Sequence, residues 1–490
     1  MVQYRLARKG LHERTLDHGR SITMNGIKRL LSAVAAAAVF GGAAVSCEDG
    51  KTSEDSIAEI TSGTEPVTEA AADVSGQTIV WLADYDLNPA NGGPRSTALL
   101  LFEDVYGANV KYEFASPSEK YDRLSEMIIS GEQVDMFPYE EGAFPNGALN
   151  EQYAPLDPYF DSMGMAEDGL WDGMTDVIEK FGYNGQHYVV PYALTDPQVI
   201  IYSRNIMSEQ ELEDPYQLYL DGKWDWNKFM ELMEAFVAKA SEGEKRYGLC
   251  GSCGQALLQS TGRTVVSCNG TEFANNISDP AIEKAELFMQ EIASKGLYRS
   301  DWENYYPTRH DTLFFAAGDW ALGESNAMNP NSDIMVVPFP KAPDADKEYL
   351  FCDYAAKMLV RNSTKGAAVA AYIKCERIAA AQEEYKKAAK QAALAEIKTA
   401  SGKTRSFVTE EQYDVLQSLL DPGKRTPLID FGYGMGARMY GEGDYNYETS
   451  GVMNKLTQAL LEGEPAADSW ETLRDSCSGV IDEEVGRFNS

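Results

Sequence analysis

The sequence predicts a mixed α/β protein built from more than one domain. Three observations lead there. From Gln77 to Met136, strand-length apolar runs alternate with amphipathic stretches of helical period. The chain has 490 residues, more than one ordinary core accommodates. With 44% hydrophobic and 24% charged residues its composition is globular, which argues against disorder throughout.

The first 75 residues read as address and tether. Lys28–Arg29 precedes an apolar, alanine-rich run from Leu30 to Val45, followed by Ser46 and Cys47. A charged segment, a short apolar segment and small residues before a cut describe a secretory signal over residues 1–46, with Met24 as an alternative start. The run is too short to span a bilayer comfortably. Cys47 after small residues resembles a bacterial lipobox, whose cysteine is lipidated, although Ala44 stands where leucine is usual. Residues 47–75 are rich in Ser, Thr, Glu and Ala without apolar period, the pattern of a solvated linker.

Then the folded body begins. Gln77 to Leu82 reads as a strand, followed by a polar loop with Asp84 and Tyr85. Ser96 to Tyr106 has helical spacing at Leu99, Phe102 and Val105. Val110 to Phe114 alternates as a half-buried strand. Ser118 to Gly131 reads as a helix closed by its glycine. Val134 to Pro138 is a short strand leading to Tyr139–Glu140–Glu141. This order makes a mostly parallel sheet with helices on its faces, and ligands of such sheets sit beyond the carboxyl ends of the strands.

The stretch from Gly182 to Phe229 is the most distinctive. Tyr188 to Tyr192 reads as a strand stopped by Pro191, Ala193 to Pro197 as a polar turn, and Val199 to Tyr202 as a second strand. Trp224–Asp225–Trp226–Asn227 opens a helix with apolar positions at Phe229, Met230, Leu232, Met233, Phe236 and Val237, capped by Asp225 or Asn227. In Asn184–Gly185, Tyr188, Pro191–Tyr192, Tyr202 and Trp224 to Phe229, the series resembles the extracellular solute-binding proteins of ABC importers, the maltodextrin-binding type in particular. Gln186 replaces the usual lysine, and Ser203–Arg204–Asn205 loosens a Tyr-Asn pair.

The rest extends the resemblance. Tyr247 to Cys250 reads as a strand and Gly251 to Gln255 as a glycine-rich loop, while Asp279–Pro280 caps a helix through Ile292. Leu313 to Leu322 resembles the family's Phe-x-x-Gly-Lys-x-Ala-Met element, with Asp319 where lysine is common, and ends in a strand that delivers Glu324. Ile334 to Pro340 resembles a strand returning to the first lobe, and Tyr354 to Arg361 reads as one further strand. Glu376 to Ala400 reads as a solvated surface helix. Asp430 to Tyr447 is rich in Gly and Tyr, where the family has a cleft loop.

The resemblance implies a two-lobe periplasmic-binding-protein-like fold of type II, with a hinge and an inter-lobe cleft. Lobe 1 would be residues 76–182 plus 336–362, and lobe 2 residues 183–335 plus 363–490, with hinges near Phe181–Tyr183, Val336–Pro338 and Arg361–Ser363. It implies capture of a small solute without chemistry, delivery to the permease subunits of an ABC importer, and a monomer anchored through Cys47 to the outer face of a bacterial cell membrane. A carbohydrate site wants aromatic planes and forked hydrogen-bonding groups. The cleft-edge loops supply Trp81, Asp84, Tyr85, Tyr139, Glu140, Tyr192, Thr195, Asp196, Trp302, Glu324, Asp353, Tyr433 and Arg438, whereas Trp224 and Trp320 read as core.

Charge and cysteines bound the alternatives. A formal net charge of −33 speaks first to solubility, and it would repel a nucleic-acid backbone. It would also suit a cationic or peptide ligand. Cys250-x-x-Cys253 has no second pair to complete a structural zinc site, so neither metal nor cofactor is expected. The other cysteines permit disulfides or buried thiols equally. A glycoside hydrolase would need paired carboxylates, which an acidic chain offers everywhere, and no Gly-x-Ser-x-Gly, His-Glu-x-x-His or Walker motif is present.

Overall fold

The computed structural model describes residues 74–88, 95–166, 169–301, 305–395, 397–398, 404–405, 408–441, 451–462 and 470–490. The signal, the linker up to residue 73 with its Cys47, and Trp302 lie outside them, as does the end of the Gly/Tyr-rich segment.

The first layer follows the alternation in the sequence. β1 (Thr78–Ala83), α1 (Thr97–Asp104), β2 (Asn109–Phe114), α2 (Lys120–Ser130), β3 (Met136–Pro138) and β4 (Tyr153–Ala154) come in order. Ser96 caps α1 by accepting the Leu99 N–H, and Gly131 ends α2 in the left-handed conformation at φ 73°. β1 is parallel to β2 and β3.

A second layer follows. β5 (Ala193–Thr195) leads to β6 (Gln198–Ser203), α3 (Trp226–Ala238), β7 (Tyr247–Gly251), α4 (Gly254–Gln259), α5 (Pro280–Ser294), β8 (Tyr298–Arg299), β9 (Thr312–Gly318), α6 (Trp320–Met328) and β10 (Ile334–Pro338). Asp225 caps α3 through the Lys228 N–H at 2.9 Å, and Asp279 caps α5 through the Ala281 N–H at 2.8 Å. The chain then returns through β11 (Asp353–Ala355) and β12 (Lys357–Val360) to α7 (Gly366–Ala381), α8 (Glu383–Leu394), α9 (Glu410–Leu419) and α10 (Trp470–Phe488).

Two five-stranded sheets result, in the orders β2-β1-β3-β12-β4 and β8-β7-β9-β6-β10. Between them stands a two-stranded antiparallel ribbon, β5 with β11, in which Thr195 faces Asp353 and Ala193 faces Ala355. The chain leaves the first sheet through β5 and re-enters it through β11. A third passage lies between α7, which packs on α1 with the Phe102 and Tyr372 rings 5.3 Å apart, and α9, whose Gln412 amide donates to the Ile334 carbonyl of β10 at 2.7 Å.

Several expectations are corrected here. Tyr188 to Tyr192 forms no strand, and the expected turn at Ala193–Thr195 is a strand because Asp353–Ala355 pairs with it. Tyr354 to Arg361 divides into two strands of different sheets. Ile334–Pro338 stays in the second sheet, and α7, expected in lobe 2 beyond the third hinge, packs on the first. Glu376, expected on a solvated helix, is 5% exposed. Among the described residues all six cysteines are free, five of them buried, and no helix is long and apolar enough to cross a membrane.

The ribbon is braced by a buried cation. Lys357, 4% exposed, donates to the Tyr192 hydroxyl at 2.7 Å, pairs with Glu376 at 3.4 Å and lies 5.3 Å from the centre of the Trp81 ring. Buried pairs lose most when one partner is removed alone. Lys357→Met is therefore expected to destabilise the protein by about 3 kcal/mol, and Lys357→Met with Glu376→Met to recover most of that loss, read as thermal or denaturant midpoints.

Candidate functional site

The carboxyl ends of β1 and β3 open onto the ribbon. Beyond β1, the Trp81 indole N–H donates to the Tyr85 carbonyl at 2.9 Å, and the two rings meet edge to face at 5.4 Å. This hydrogen bond fixes the loop that presents Asp84 and the exposed Tyr85. Beyond β3 come Tyr139, Glu140 and Glu141. Phe181 is wedged edge-on between Tyr139 at 5.3 Å and Tyr354 at 5.1 Å, so both rings are held. Glu140 pairs with the buried Lys120 and accepts from the Tyr121 hydroxyl at 3.4 Å.

The second half supplies the opposite wall. Asp196 lies between β5 and β6 with φ 45°, a left-handed conformation that Asp tolerates better than most residues. Its carboxyl faces Asp319 and the first backbone N–H groups of α6. Gly318 is required beneath it, since a Cβ there would come 2.1 Å from Asp196 Oδ1. That oxygen is buried and has no hydrogen-bond partner among the described residues. From α4, the Gln255 amide reaches across and donates to Glu141 Oε1 at 3.2 Å.

Four carboxyls thus share one gap: Glu141, Asp196, Asp319 and Asp353. Two ionised carboxylates about 4 Å apart repel by about 4 kcal/mol at an effective dielectric near 20. Protons are therefore held tightly here. Burial, then the charge of Asp319, pushes Asp196 well up, while burial raises Asp319 to about 6. Burial and then the charge of Asp353 raise Glu141 to about 8, against the Gln255 hydrogen bond. Enclosure by protein, then Asp196 and Glu140, raise Asp353 to about 8, although solvent in the gap reaches its side chain and screens part of this effect.

Most of the expected residues come together. Asp84, Tyr85, Tyr139, Glu140, Thr195, Asp196 and Asp353 ring the ribbon, whereas Trp81 and Tyr192 are buried in the core behind it, and the charge of Glu141 is felt at the buried Tyr433 hydroxyl. Arg438 is not among them, because its guanidinium pairs with Glu483 at 2.7 Å and Glu484 at 3.5 Å on α10. Glu324 is on a helix rather than at a strand end, one turn beyond Trp320 on the same half-buried stripe. Trp224 is core as expected, with its indole N–H on the Pro338 carbonyl at 2.8 Å, but Trp320 is only half-buried at the mouth of the gap. Glu141, Gln255, Asp319, Trp320 and Tyr354 are the additions. Asp319 in place of the family's lysine was the one signal that could have marked them.

Asp430, in the Gly/Tyr-rich segment, is structural. It accepts the backbone N–H groups of Val265, Val266 and Gly432 at 2.6, 3.0 and 3.1 Å, and so ties the Phe431–Gly434 turn to the second half. A separate cavity of about 410 Å³ is lined by Lys180, Arg263, Cys268 and Phe431 among others. Its cations are spent on the Pro427 carbonyl at 2.7 Å and on Asp279 at 2.9 Å, and it contains none of the four clustered carboxyls.

Known proteins share this fold. An ABC substrate-binding protein from Listeria monocytogenes in complex with cycloalternan superposes with a TM-score of 0.56 at 13% identity, covering 84% of this chain and 99% of that one. The sugar-binding protein MalE from Xanthomonas citri gives 0.59 at 13% identity, with coverage of 84% and 98%. The galacto-N-biose/lacto-N-biose I-binding protein of Bifidobacterium longum gives 0.57 at 11% identity, with coverage of 84% and 97%. At such identities the likeness concerns the fold, which is the two-lobe periplasmic-binding-protein type. No curated protein matches the sequence. Residues 101–396 match the family described as bacterial extracellular solute-binding protein. The chain is thus a member of the bacterial extracellular solute-binding protein family.

Proposed function

We propose that the chain is the substrate-binding subunit of an ABC importer, held at the outer face of the cell membrane through Cys47, and that it captures a carbohydrate and hands it to permease subunits without altering it. The carrying observation is the gap itself. Acceptors and aromatic rings from two separate sheets converge across a ribbon through which the chain passes in both directions. Neighbours of the same fold are described in complex with cycloalternan and with lacto-N-biose, which supports the ligand class.

The lobe division follows the ribbon. Lobe 1 comprises the first sheet with α7, lobe 2 the second sheet with α9 and α10, and bending is concentrated at Tyr192–Asp196 and Cys352–Ala356. Closure requires the ligand to bind the closed state better than the open one.

Calorimetric and thermal-shift titration against a panel of neutral oligosaccharides tests this reading. A midpoint that rises with sugar concentration is expected, since a ligand bound only by the native state stabilises it. No rise with any sugar contradicts the carbohydrate reading, and cleavage of a sugar on prolonged incubation contradicts the non-catalytic role. Trp320→Ala and Tyr139→Ala are each expected to weaken binding about tenfold, the scale of one lost ring contact. Arg438→Ala is expected to change it less than about twofold, because its partners lie on α10.

The clustered carboxyls also make stability depend on pH. Asp319, Glu141 and Asp353 bind protons more tightly folded than unfolded, at about 6, 8 and 8 against ordinary carboxyl values near 4. Their stabilising contribution is complete below pH ~4 and is lost as pH rises through 6 to 8. The ligand-free midpoint is expected to fall between pH 5 and pH 8, with a shallower fall in Asp353→Asn. An equal slope in parent and variant would contradict the assignment.

A further inference from the structure

We propose that the solute bound in this gap presents a protonated amine, received by Glu141, Asp319 and Asp353 with Asp196 beside them and by the hydroxyl of Tyr354. The inference rests on the reading that the gap is the ligand site, and it narrows the ligand from carbohydrates in general to amino-bearing ones.

The first observation is an imbalance of charge. The cations nearest the gap are already engaged: Lys120 with Glu140, and Lys357 with Tyr192 and Glu376. Among the described residues, Glu141, Asp196, Asp319 and Asp353 form no ion pair with Lys, Arg or His, and the one donor drawn to Glu141 is the neutral Gln255 amide. Closing two walls over these acids either keeps them protonated or calls for a cation that enters with the ligand and displaces those protons.

The second observation is independent of the acids. Tyr354, on β11 and 7% exposed, has a hydroxyl without a hydrogen-bond partner among the described residues, within the field of Glu141 and Asp353. Buried hydroxyls are rarely left unpaired. An ammonium has three donors and no acceptor, which matches ionised carboxylates and a phenolic oxygen. A neutral sugar hydroxyl also asks for donors, and of the nitrogen donors here the Gln255 amide already serves Glu141 and the Lys357 ammonium serves Tyr192 and Glu376. The rings of Tyr139 and Trp320 supply the faces against which a cation is favoured.

The test is calorimetry on the full chain with four probes: a glucosamine trisaccharide, its fully N-acetylated form, cellotriose and spermidine. The glucosamine trisaccharide is expected to bind at least about tenfold more tightly than its N-acetylated form and cellotriose, a preference that raised salt reduces. Asp353→Asn, at a solvent-reached position, is expected to abolish most of that preference, and Glu141→Gln to do the same. Neutral trisaccharides binding as tightly as the amine overturn the inference and leave the carbohydrate reading standing. Binding of spermidine alone supports the amine and removes the carbohydrate. A preference for the amine that survives both substitutions, or no binding by any probe, overturns the inference.

Discussion

Everything in this molecule is positioned by one short antiparallel pairing, Ala193–Thr195 against Asp353–Ala355. On the side of the first sheet the ribbon is fastened by the Tyr192 N–H on the Ala355 carbonyl at 2.9 Å and the Tyr139 N–H on the Ala356 carbonyl at 3.1 Å. On the side of the second sheet it is fastened by the Gln198 N–H on the Phe351 carbonyl at 3.0 Å. Six paired residues are thus clamped at both ends between two separate sheets. The same register sets Asp353 beside Thr195 and next to Asp196, so the joint and the site are one structure.

That arrangement carries an electrostatic cost. Carboxyls that would sit quietly on a solvated surface are brought into a gap where each raises its neighbour's hold on a proton. Perturbed acids of this kind collect where a protein recognises or transforms something. The thiol beside them, Cys352, is buried and pushed up by that burial and by the charge of Asp353, and the structural acid Asp430 shows the contrast: three backbone N–H groups satisfy it. Among the buried atoms without a partner in the described residues, Asp196 Oδ1 and the Tyr354 hydroxyl lie at the ribbon. Stability spent there is recovered when a ligand supplies the missing partners.

Local pattern made much of this legible. β1, β2, α3 and α5 were readable because hydrophobic period, a capping aspartate or a terminal glycine marks each of them within a dozen residues. Pairing over distance was not readable. Ala193–Leu194–Thr195 looks like a turn beside Asp196–Pro197, and it becomes a strand only because Asp353–Ala355, far along the chain, lies against it. The same limit hid the site's second wall. Trp320 reads as apolar core by composition, yet it is the half-buried first residue of α6, just past Gly318, where a Cβ would meet the Asp196 carboxyl. Arg438 erred the other way, because its acidic partners on α10 are invisible to local reading.

The central claim is that two rigid bodies bend about the ribbon to enclose a solute. Spin labels at Glu126→Cys on α2 and Glu231→Cys on α3, both exposed positions on opposite halves, measure it directly. With a saturating ligand the distance distribution between them should shorten and narrow. An unchanged distribution in the presence of demonstrated binding would contradict the account.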